Sequence, residues 1–135
     1  MAKKPLIIAE VAGQGWRAEL AADEVARGIA EVERTLQALP GKFESLFWID
    51  ETEAVAFCRL KDEWRLAHVQ PFGDGQARQP LANTSMETRA KAATYLPSLV
   101  RQMLAEYEQR RATAQAAVEG VREARRLLGL ALEGE

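Results

Sequence analysis

Apolar positions recur at three- and four-residue steps in two long stretches of the chain and alternate in a third. From about Ala18 to Leu39, Val25, Ile29, Val32, Leu36 and Leu39 share one helical face, and Asp23, Glu24, Arg27, Glu31 and Arg34 cover the rest. Pro40-Gly41 ends this amphipathic helix, because proline disfavours helical geometry in the residue before it. Upstream, Leu6 to Ala12 reads as a short strand or an apolar arm laid on the core.

The stretch from Phe43 to Phe72 has strand composition, with aromatics, valine and alternation broken by charged clusters at Asp50–Thr52 and Lys61–Glu63. It predicts a three-stranded antiparallel meander near 43–49, 53–60 and 64–70. A second turn centred on Asp62 would set Cys58 opposite Leu66 and Ala56 opposite His68. Phe43, Phe47, Ile49, Cys58, Trp64, Leu66 and His68 would then share one face, with Leu46, Trp48, Val55, Phe57, Ala67 and Val69 on the other. Both faces carry large apolar groups, so either helices cover both or the second is an interface.

Pro71 to Ser85 reads as a long loop, rich in glycine, proline and polar residues. Thr84 and Glu87 then fit a capping box that opens a helical segment running to near Leu132. Pro97 predicts a kink or break, and the polar stretch around 108–115 a second one. One heptad register places Met86, Ala93, Val100, Tyr107, Ala114, Val121 and Leu128 in its first position. Its fourth position holds Arg89, Leu96, Met103, Arg110, Ala117, Ala124 and Ala131, a seam suited to close helix packing.

The fold class is therefore α+β: an N-terminal amphipathic helix, the meander, and a long C-terminal helical segment. One domain of 135 residues can bury a core without disulfides or metal. Residues 85–132 can extend from it as an oligomerisation or partner-binding element. The net charge of -2 gives no global field to hold a polyanion. Cys58 is the single cysteine, which suits a reducing, cytoplasmic setting, and the short apolar start interrupted by Glu10 is not expected to act as a signal or membrane span.

Four constellations invite chemistry. Gly13, Gly15 and Ala18 have the G-x-G-x-x-A spacing of a dinucleotide loop. The antiparallel hairpins downstream provide no second βαβ unit, so we read a glycine turn with Trp16 as a core anchor beside it. Cys58 and His68 on one face would allow a thiolate–imidazole pair, although both residue types are more often core. One cysteine and one histidine cannot fill a zinc site, and Asp50, Glu51 and Glu53 read as a solvated turn. Arg101, Arg110, Arg111, Arg122, Arg125 and Arg126 are interleaved with glutamates at ion-pairing spacings, so nucleic-acid binding is not the favoured reading.

The expected function is a non-catalytic interaction or regulatory module with no cofactor or metal. It would bind another protein or itself through an apolar sheet face and the C-terminal helices, using Val100, Met103, Tyr107, Val121 and Leu128. One rival is a small-molecule binder or small enzyme with a sheet–helix pocket near His68, Cys58, Trp48 and Trp64. The other is a nucleic-acid accessory protein that uses the C-terminal arginines.

Overall fold

The computed structural model describes residues 3–129, with side-chain surroundings from Ile7 onward. The elements run α1 (Lys3–Gln37), β1 (Ser45–Trp48), β2 (Ala54–Leu60), β3 (Glu63–Phe72), β4 (Gly75–Pro80), a 3-10 turn (Leu81–Asn83) and α2 (Met86–Leu127). The four strands form one antiparallel sheet in the order β1-β2-β3-β4. The class is α+β as expected, with four strands in place of three. The chain divides into two compact units, Met1–Leu99 and Val100–Glu135, and α2 contributes to both.

Several local expectations are overturned. Leu6 to Ala12 is neither strand nor arm: α1 already runs from Lys3, straight through Gly13 and Gly15. Each glycine costs a helix interior roughly 1 kcal/mol relative to alanine. Ala9, Ala12, Ala18, Ala21 and Ala22 around them are strong helix formers, and the helix continues. Trp16 is 68% exposed and anchors no core.

The expected loop after Pro71 contains β4, a polar strand whose alternation carries no apolar signal. It pairs with β3 from Phe72↔Gly75 to Ala67↔Pro80. The helix cap also shifts by one residue. Ser85 Oγ accepts the Thr88 backbone N–H, while the Thr84 hydroxyl donates to the Leu81 carbonyl. Helix α2 then runs unbroken through Pro97 and the 108–115 stretch. Pro97 lies on the exposed side, where water can satisfy the carbonyl its ring leaves unpaired.

The β2–β3 hairpin turns on Lys61 and Asp62, whose φ values of 50° and 70° fit a two-residue type I′ turn. That sets Cys58 opposite Arg65, Phe57 opposite Leu66, Ala56 opposite Ala67 and Val55 opposite His68. The register is one residue away from the expected one, so Cys58 and His68 lie on opposite faces of the sheet.

One face carries Phe47, Val55, Phe57, Leu66 and His68, and Tyr95 of α2 stacks on Phe47 with ring centroids 6.2 Å apart. Trp64 stacks on Phe57 at 5.3 Å. Phe57, Leu66, Leu81 and Leu99 are fully buried, each worth roughly 1.5–3 kcal/mol. Helix α1 buries Ile29 and Leu36, and its Glu33 carboxylate accepts the Leu66 backbone N–H at 2.7 Å, just past the last β3–β4 pair. In α2 the buried positions are Ala92, Leu96, Leu99 and Met103. Leu99 thus replaces Val100 in the expected seam, a rotation of one residue.

The other sheet face is built differently. Ala54, Ala56, Cys58, Ala67 and Val69 form its buried floor, with Leu46 and Leu60 packed against them. Arg78 of edge strand β4 and Glu44 beside edge strand β1 meet above this floor, with Nη1 2.8 Å from Oε2. The guanidinium also interacts with the Cys58 thiol beneath it. An arginine stem covers apolar surface while its head stays polar, so small floor residues and one long strap close this face.

Candidate functional site

Two polar clusters and one apolar surface hold the residues with chemical potential. The first cluster joins the β1–β2 turn to α2. Asp50 accepts the Thr52 hydroxyl at 2.7 Å, the Thr52 N–H at 2.7 Å and the Glu53 N–H at 3.1 Å. Lys91 reaches Glu53 at 2.5 Å and Asp50 at 3.3 Å. Glu53 also accepts from His68 Nε2 at 3.0 Å; an ionised carboxylate only accepts, so the proton sits on Nε2.

These contacts explain the electrostatics. The Thr52 hydroxyl and N–H, with Lys91 behind them, hold the Asp50 carboxyl down at about 2. Lys91 first, and His68 second, hold Glu53 below the usual carboxylate range. Glu53 and Asp50 in turn raise the Lys91 ammonium. His68 is 7% exposed and bound to this cluster through Nε2. The acidic run is thus a capped turn in which Asp50 and Glu53 are paired with Lys91, and no group of three or more metal-binding side chains occurs among the described residues.

The second cluster is the strapped face. Burial pushes the Cys58 thiol up, and the nearby Arg78 guanidinium partly offsets this. With Cys58 here and His68 on the reverse side, the two cannot act as nucleophile and base. Of the other expected pocket residues, Trp48 shares the Cys58 face and is half exposed. Trp64 lies with His68, half buried, its carbonyl accepting the Gln37 side-chain amide at 2.7 Å. The four residues do not converge on one pocket.

The apolar surface was the part least expected. Ile7, Ile8, Val11, Trp16 and Leu20 of α1 are 56–69% exposed. Ile7, Val11, Ala18, Ala22, Val25, Ile29, Val32 and Leu36 form one line at helical spacing, buried at its C-terminal end and bare at its start. Trp16 and Leu20 project from the opposite side. The spacing back from Val25 through Ala22 and Ala18 was a usable signal, masked by the two glycines.

In the second unit, Leu104, Val118, Val121, Leu127 and Leu128 are exposed. Of the expected interface residues, Met103 is buried, Tyr107 is half buried, and Val100, Val121 and Leu128 are exposed. Arg110 pairs with Glu106 at 3.1 Å and Arg126 with Glu123 at 2.6 Å, the ion-paired pattern the spacing suggested. Among the described residues, no helix is long and apolar enough to cross a membrane.

No family model, curated protein or solved structure matches the chain.

Proposed function

We propose that this protein is a non-catalytic interaction module that self-associates, using the N-terminal half of α1 as its main contact. The carrying observation is the exposure of Ile7, Ile8, Val11, Trp16 and Leu20 on a helix that is apolar on more than one side. A helix of that kind belongs inside a larger packed assembly. Burying each such side chain contributes roughly 1.5–3 kcal/mol.

A second copy fits this surface for two reasons. The exposed line continues the one that already packs as core from Ile29 to Leu36, so the same small-and-branched pattern serves both. Between Ile7 and Leu20 the only charges are Glu10, Arg17 and Glu19, of mixed sign, so like copies approach without strong repulsion. Within the second unit, Val100, Leu104, Val118 and Val121 are exposed apolar residues in their own right.

Light scattering tests the reading. The wild-type chain is expected to exceed the mass of one chain at high micromolar concentration, and the double substitution Val11→Glu, Trp16→Glu to reduce it to one chain while the sheet stays folded. A wild-type chain that remains monomeric throughout that range overturns it.

A further inference from the structure

On the strapped sheet face, beside the β2–β3 hairpin, lies a cavity of about 430 Å³. Leu60 and Pro80 supply its apolar wall, and Lys61, Arg65 and Arg78 bring three cations against one acid, Glu63. The acids that hold the arginines, Glu33 and Glu44, stand outside this lining.

The two arginines are held in place by acidic partners, and part of the donor capacity around the cavity is unused. Arg65 Nε is bound to Glu33 at 3.1 Å and its Nη1 lies 3.7 Å from Glu63. Its Nη2 has no partner among the described residues. The same holds for the Lys61 ammonium and the Asn83 side-chain amide, which also lines the cavity. Arg78 is committed to Glu44, Gln76 and Cys58 and acts as a rigid wall. Unused donors of like character around a partly apolar hollow are complementary to an oxyanion carrying an apolar body.

We propose that this cavity binds a small organic carboxylate. Its oxyanion is held by Lys61, Arg65 Nη2 and the Asn83 amide, and its apolar part rests on Leu60 and Pro80. Glu63 competes with the ligand for Arg65. The site stands on different residues from the self-association surface and does not depend on it.

Amide chemical shifts of the full chain test this with benzoate as probe, benzamide as its neutral counterpart and inorganic phosphate as an anion lacking the apolar body. Benzoate is expected to shift Lys61, Glu63 and Asn83 saturably, with benzamide leaving them in place. Lys61→Asn keeps a residue tolerant of positive φ while removing the charge. It should weaken benzoate by about two- to fivefold, and Glu63→Gln should tighten it by a similar factor. Absence of saturable shifts, equal binding of benzamide, or unchanged affinity in both variants overturns the proposal. Phosphate binding as tightly as benzoate overturns the assignment to an organic ligand.

Discussion

Arg78 and Glu44 stand at opposite edges of the four-stranded sheet, yet their side chains meet at 2.8 Å. As an ion pair between partly exposed groups the contact contributes at most about 1 kcal/mol. Its larger effect is to cover the alanines, Val69 and Cys58 below. Arg78→Ala is therefore expected to cost about 1 kcal/mol, mostly through lost cover, and to open the thiol. Alkylation of Cys58 by iodoacetamide at alkaline pH should be slow in the wild type and several-fold faster in the variant. Equal rates would show that the arginine does not shield the thiol.

The Asp50–Lys91–Glu53 cluster makes stability depend on acid in a defined direction. Both carboxylates are depressed in the folded chain. Their contribution is complete above the unfolded values of about 3.9 and 4.3 and is lost as pH falls through the folded values. Melting temperature should drop between about pH 5 and about pH 2, and Lys91→Met should flatten that drop by returning Glu53 toward its ordinary range. Lys91 contributes in the mirror sense, present below about pH 10.4 and lost as pH rises through its raised value. An identical acid profile in the variant would remove Lys91 from this role.

Gly15 lies inside α1, and a Cβ built on it meets no atom within 4 Å. Gly15→Ala should raise stability by roughly 0.5–1 kcal/mol and increase helical circular dichroism. A loss of stability would instead favour the glycine turn that the G-x-G-x-x-A spacing suggested.

The rotated seam of α2 separates two adjacent residues. Leu99 is fully buried and Val100 is 39% exposed. Leu99→Ala is expected to cost about 2–5 kcal/mol by denaturant unfolding, and Val100→Ala no more than about 0.5 kcal/mol. Reversed costs would return the seam to the heptad register read from sequence.

The helical face from Val25 to Leu36 and strands β1–β3 were legible because burial there imposes a period of 3.6 or 2. Strand β4 was hidden, since its residues are exposed and their polarity reports solvent, not pairing. The register turned on one residue of turn geometry: a two-residue I′ turn at Lys61–Asp62 looks the same in composition as a turn centred on Asp62. That single step moved Cys58 away from His68 and dissolved the candidate pocket. Glycine and proline misled in α1 and α2 alike, because both are penalties that a long helix of good formers can absorb.

The edges of the sheet bear on how copies can meet. Strand β1 offers only four residues for pairing, and β4 ends at Pro80, which has no N–H to donate. Short and proline-ended margins of this kind discourage one sheet from extending into another. The sheet is thereby kept at four strands, with margins that resist open-ended growth strand upon strand.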